Sequence, residues 1–115
     1  MKKVAVIIRA LPFNTSRNSE GLRCAVGLTI EDENKVCVLF IGDGVWTAAS
    51  LDCPAAQERD LNKHVETLAM MEVELIAEEE ALANRGLKIR SEEITTKPRL
   101  AIYQAILEAD VIMAF

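Results

Sequence analysis

The stretch from Val73 to Gly86 constrains the fold of this chain more than any other. Val73-Glu74-Leu75-Ile76-Ala77 reads as a short buried strand, and Glu78 to Arg85 as a helix that follows it directly and stops at Gly86. The same alternation of strand and helix runs through the rest of the sequence, which is the signature of a layered α/β fold.

Two other strands are plain in the pattern. Lys3 to Arg9 and Lys35 to Ile41 are continuous apolar runs rich in Val and Ile, as expected of central parallel strands covered on both faces. Between them, Ser19-Glu20-Gly21-Leu22 opens a helix with Leu22, Ala25, Val26 and Thr29 on one side, and Glu31-Asp32-Glu33-Asn34 closes the unit as a polar turn. Gly42-Asp43-Gly44 makes a tight turn into a short helix from Val45 to Leu51. Cys53 before Pro54 starts a longer helix reaching about Met70, because proline is favoured at the first helical position. Glu93 to Thr96 is a weaker fourth strand, Pro98 starts a helix to Ala109, and Val111 to Phe115 closes the chain as a strand.

With 115 residues, half of them hydrophobic, the chain fits one domain, residues 1–115, and no linker, repeat or low-complexity segment divides it. Eighteen acidic residues against thirteen basic ones argue against a broad phosphate-binding surface, so nucleic acid is not expected as a partner. The apolar run after Lys2-Lys3 is too short for a signal-peptide core, and no run approaches the roughly 20 residues needed to cross a bilayer. A soluble, cytoplasmic protein without membrane contact is the expectation. Three widely spaced cysteines, no CxxC pair and a single histidine support neither a disulfide framework nor a metal site, and no cofactor is expected.

The residues that could carry chemistry are few. Cys24 in the first helix and Cys37 in the second strand read as small core residues with inert thiols. Cys53 differs, because a thiol capping the long helix has its thiolate favoured by the helix dipole, although Asp52 opposes this. It is the candidate catalytic residue if the chain has one, with a capping role as the simpler reading. His64 falls on the apolar stripe of its helix and reads as packed rather than catalytic. Asn14 to Asn18 form a polar loop before a helix, a geometry that can hold phosphate but that here lacks a glycine-rich fingerprint. Parallel strands bring their carboxyl ends together and ligands usually bind there, so Asn14, Asp43, Gly44 and Glu78 make the candidate pocket. The acids Glu78-Glu79-Glu80 also suit the first turn of a helix, where they complement its dipole, and adjacent helical positions point apart, which excludes a converging carboxylate pair. In the Pro98 to Ala109 helix, apolar residues surround the axis nearly completely, so two buried faces are implied, one on the sheet and one on a second subunit.

Several of these segments, in this order, resemble the DsrE/DsrF/TusC family of sulfur-relay proteins, with the DsrF/TusC-type subunit nearest. The matching features are the basic start into a Val/Ile strand, the polar loop Leu11 to Asn18 ending in Ser19-Glu20-Gly21-Leu22, and Phe40-Ile41-Gly42-Asp43-Gly44-Val45. Arg59-Asp60, Ala81-Leu82-Ala83-Asn84-Arg85-Gly86-Leu87 and Ala109-Asp110-Val111-Ile112-Met113-Ala114-Phe115 extend the match over essentially the whole chain. The resemblance implies a three-layer α/β/α fold with a five-stranded, largely parallel sheet. It also implies homo-oligomers or hetero-oligomers with DsrE-like subunits, and persulfide transfer between proteins. In cysteine-bearing members a thiolate at the end of the third strand accepts the sulfur, and alignment on Ala81-Leu82 and Arg85-Gly86 puts that position at Glu78, or at Ala77 one residue away. Neither side chain can carry a persulfide. The expected function is therefore a non-catalytic DsrF/TusC-type subunit that assembles with cysteine-bearing relatives or docks a sulfur-carrier protein. The alternative is an independent thiol-active protein using Cys53, or a small-anion-binding module.

Overall fold

Five stretches of this chain pair into one parallel sheet: β1 (Lys2–Ile8), β2 (Asn34–Phe40), β3 (Glu74–Glu78), β4 (Ile94–Lys97) and β5 (Val111–Ala114). The structure is a computed structural model and describes residues 2–9, 17–29, 34–48, 65–89 and 94–115. The strand order is β4-β3-β2-β1-β5. The helices are α1 (Arg17–Thr29), α2 (Val45–Ala48), reached through a 3-10 turn at Gly42–Gly44, α3 (residues 65–70), α4 (Glu79–Arg85) and α5 (Arg99–Glu108). The α/β class and the five-stranded parallel sheet read from the sequence are both present.

That strand order dictates where the helices lie. From β1 the chain steps to β2, β3 and β4 in one direction across the sheet, and right-handed crossovers in one direction place their helices on one face. From β4 it returns to β5 at the opposite edge, so the connecting helix α5 must cross the other face. The two cores follow from this division. Val4, Val6, Ile8, Val36, Val38, Phe40, Leu75 and Ala77 pack with Leu22 and Ala25 of α1, Val45 of α2, Leu68 of α3 and Leu82 of α4. On the other face, Ala5, Ile7, Leu39 and Ile76 meet Ile102 of α5, with Ala105, Ile106 and Ala109 beside it. Alternating side chains of the central strands are thus buried on both faces, which is why β1 and β2 read as unbroken apolar runs.

Two glycines are required by geometry. A Cβ on Gly44 would lie 1.8 Å from the carbonyl oxygen of Ile8, so only glycine lets the turn after β2 close on the end of β1. Gly86 ends α4 in the left-handed region at φ 62, with the Leu87 N–H returning 3.0 Å to the Leu82 carbonyl.

β1 and β2 each lie one residue earlier than read, α1 begins at Arg17 within the expected polar loop, β5 ends at Ala114, and three further differences bear on the site. β3 runs from Glu74 through Glu78, so Glu78 is the last strand residue and the N-cap of α4 rather than the first residue of the helix. β4 lies one residue later than expected, at Ile94–Lys97. Pro98 is the extended N-cap of α5, at φ −66 and ψ 155, rather than its first helical residue. A proline ring fixes φ near −65° but leaves ψ free, so the sequence could not choose between the two positions. The short helix after β2 is seen from Val45 to Ala48, and its remainder to Leu51 lies outside the described residues.

Candidate functional site

The connections after β3 and β4 leave the sheet in opposite directions, β3 into α4 on one face and β4 into α5 on the other. In an open α/β sheet such divergence opens a crevice beyond the carboxyl ends of the two strands, the usual place for a ligand. Glu78 and Lys97 end these strands and are partners in register. Here a buried acid on β3 meets a cation that follows β4.

Glu78 is the one buried charged residue among those described, at 5% exposure. By the two-residue alternation of β3 it shares the α5 face with Ile76, and it makes no capping bond to α4. Its Oε2 instead accepts hydrogen bonds from Arg99, at 3.3 Å from Nε and 3.1 Å from Nη2. A guanidinium that offers two donors to one carboxylate oxygen fixes both charge and direction. The pairing raises the Arg99 pKa above its ordinary value, chiefly through the hydrogen bond with Glu78 and then through its charge. The Arg99 backbone N–H, the first of α5, donates to both carboxylate oxygens of Glu80 at 3.0 Å. Pro98 has no side-chain oxygen with which to cap, so Glu80 of the neighbouring connection supplies the acceptor. Of the three consecutive acids, Glu79 and Glu80 stand in the first turn of α4, Glu78 anchors Arg99, and Glu80 also caps α5.

Asp43 and Gly44 follow β2 on the same edge of the sheet, but Asp43 belongs to a separate pair. Its Oδ1 lies 2.9 Å from Nη2 of Arg85 at the end of α4, while Nη1 of Arg85 donates to the Ala81 carbonyl at 3.2 Å. Gly44 is buried against β1. Asn14, Cys53 and His64 lie outside the described residues.

Cys24 and Cys37, expected as core residues, are each only partly buried. Cys24 packs its sulfur 3.8 Å from that of Met113. Cys37 faces α5 and lines a cavity of about 120 Å³ at the opposite, amino edge of the sheet, together with Lys3, Val4, Lys35, Glu74, Ala105, Glu108 and Ala109. Burial and then the Glu74 carboxylate push its thiol pKa up, so the thiolate is disfavoured there.

Sequence reasoning passed over Arg99, and it read Glu80 only as an acid of a first helical turn and Arg85 only as a helix end, without their partners. Arg99 is 21 residues from Glu78; the parallel pairing of β4 on β3 brings their strand ends together, and the start of α5 on the face that Glu78 shares sets the guanidinium beside it. A signal was present in Lys97-Pro98-Arg99, two cations at the end of a strand whose neighbour ends in an acid.

A crystal structure of the YchN protein from E. coli superimposes with a TM-score of 0.86 at 18% identity, covering all of both chains, and so shares this fold. No curated protein matches the sequence. The DsrE/DsrF-like family profile matches residues 2–115, which takes in every strand and helix described above and the Glu78–Arg99 pair, and the chain therefore belongs to the DsrE/DsrF-like family.

Proposed function

We propose that this protein serves a sulfur relay as a DsrF/TusC-type subunit that carries no sulfur at the end of β3 and acts by assembling with cysteine-bearing relatives or by docking a sulfur-carrier protein. Relay chemistry is a group transfer without net oxidation. An acceptor thiolate attacks the outer sulfur of a donor persulfide, the new S–S bond forms, and the donor leaves as a thiolate. The acceptor must be a sulfur nucleophile. The observation that supports the reading is that the strand end where cysteine-bearing relatives place that thiolate holds Ala77 and Glu78, the latter already engaged by Arg99 at 3.1 Å. A carboxylate oxygen cannot form the S–S bond, and its place in the crevice excludes a competing anion by charge.

The test is mass spectrometry of peptides after exposure to a sulfane-sulfur donor. The wild type is expected to gain no stable sulfur on any residue. Glu78→Cys is expected to gain one at position 78, because Arg99 then stands beside a thiol and favours its thiolate. Adding Arg99→Ala to Glu78→Cys should slow that uptake. A stable persulfide on Cys53 of the wild type would overturn the reading in favour of an independent thiol-active protein.

A further inference from the structure

We propose that the cavity at the amino edge of the sheet binds a small α-amino acid as its zwitterion, with the carboxylate held between Lys3 and Lys35 and the ammonium between Glu74 and Glu108. The site lies at the opposite end of the strands from Glu78, so the proposal stands apart from the sulfur-relay reading.

The cavity exists because small residues meet across it. Ala105 in α5 and Ala109 at its C-cap stand four residues apart on one side of the helix, and beneath them β2 presents Cys37. Only methyl groups and a thiol fill the space between helix and sheet there. About 120 Å³ is left, the liquid volume of about four waters. That is room for a molecule the size of glycine, alanine or serine and not for an aromatic one.

Charged residues of both signs surround that space. In the parallel register Lys3 is the partner of Lys35, and Cys37 is the partner of Glu74. The alternation of the strands turns all four toward α5, as it does Ala5 and Leu39. Two cations thus stand side by side on β1 and β2, an acid stands diagonally across on β3, about 8 Å from Lys35 along the sheet, and Glu108 closes the rim from α5. Like charges placed side by side cost stability unless an opposite charge lies between them. Among the described residues none of these four charged side chains has an ion-pair partner. The thiol of Cys37 registers both signs, since its pKa, pushed up first by burial, is raised further by Glu74 and lowered by Lys35. Two lysines and two glutamates sum to zero charge, so a simple anion meets the acids and a simple cation meets the lysines. A ligand carrying ammonium and carboxylate on one carbon satisfies all four, and such complementarity selects the zwitterion over either half.

Nuclear magnetic resonance of the isotope-labelled whole chain tests the site. Titration with glycine, L-alanine and L-serine should move the backbone amide signals of Lys35, Cys37, Glu74 and Ala109 saturably, with a dissociation constant on the order of 1 to 10 mM, because exposed ion pairs are weak. Propionate and ethylamine, each with one of the two charges, should leave those signals in place over the same range. Lys35→Gln and Glu74→Gln should each weaken L-alanine binding by up to about fivefold. Ala105→Leu fills the cavity without touching a charge and should abolish binding. Removing both acids, in Glu74→Gln combined with Glu108→Gln, should admit propionate and lose the preference for L-alanine, a change of selectivity that a merely structural role would not produce. Lys35 and Glu74 are exposed, so their variants decide the matter even if Ala105→Leu fails to fold. No saturable shift with any of the three amino acids, equal shifts with propionate or ethylamine on the wild type, or L-alanine binding undiminished in both single charge variants or in folded Ala105→Leu would each overturn the proposal.

Discussion

Glu78 shows how far a single residue can be read from its sequence position. Its place at the end of a strand was legible, because a run of apolar residues gave way to three acids and a helix. Its role was not, because the bland reading of those acids assigned all three to a helix dipole, whereas the burial of Glu78 beside Arg99 depends on the pairing of β4 with β3 and on the face α5 takes, which sequence spacing does not encode. The pair has an asymmetric consequence for stability. Arg99→Ala takes from a buried carboxylate the cation that hydrogen-bonds it, and a buried charge stripped of its partner is costlier than a lost surface pair. Glu78→Gln keeps an acceptor for the guanidinium and removes the charge that needed it. Urea denaturation should therefore find Arg99→Ala the more destabilised of the two, and Glu78→Gln combined with Arg99→Ala less destabilised than Arg99→Ala alone. The reverse order would mean that the carboxylate is solvated well enough to stand unpaired.

At the scale of elements, the strands were easier to read than the ends of the helices. Central strands announce themselves by burial on both faces, so β1, β2 and β3 were placed to within a residue or so, while helix ends turn on caps that other parts of the fold supply. Glu80 capping α5 is one such case. The end of α3 is another, and it contrasts with the end of α4. Both helices close with the same pattern, an N–H returning five residues back at 3.0 or 3.1 Å, Leu87 to Leu82 and Val73 to Leu68. The residue that must turn left-handed is Gly86 in α4 but Glu72 in α3, at φ 60. A side chain in that region costs about 1 to 2 kcal/mol, and glycine returns about 0.5 to 1 kcal/mol of this through the freedom of the unfolded chain. Glu72→Gly should accordingly raise stability by about 0.5 to 1 kcal/mol in chemical denaturation, with an unchanged slope against denaturant. A loss of stability would show that the exposed Glu72 side chain contributes more than its backbone strain costs.

The whole molecule follows from one topological fact, that three crossovers march one way across the sheet and the fourth comes back. The sequence showed five strands in alternation with helices but not their order in space, and so it could count the layers without saying that one would be thin. It did show a helix apolar on all sides. The structure explains half of that pattern by packing α5 on the sheet and leaves Leu100, Tyr103 and Leu107 in solvent. If a second copy covers them, folding and association are linked, since only the folded chain presents that stripe. Mass action then makes the thermal midpoint depend on protein concentration. For a dimer that forms only from folded chains, raising the concentration tenfold should add up to about 1.4 kcal/mol of stability per dimer, a shift of several degrees at most for a domain of this size. Calorimetry over a hundredfold range of concentration should show the wild-type midpoint climbing steadily. The midpoint of Leu107→Glu should stay flat over the same range and coincide with the wild type at the dilute end. A wild-type midpoint independent of concentration would mean that α5 contributes nothing to stability beyond its own chain, and that the apolar stripe is tolerated as bare surface.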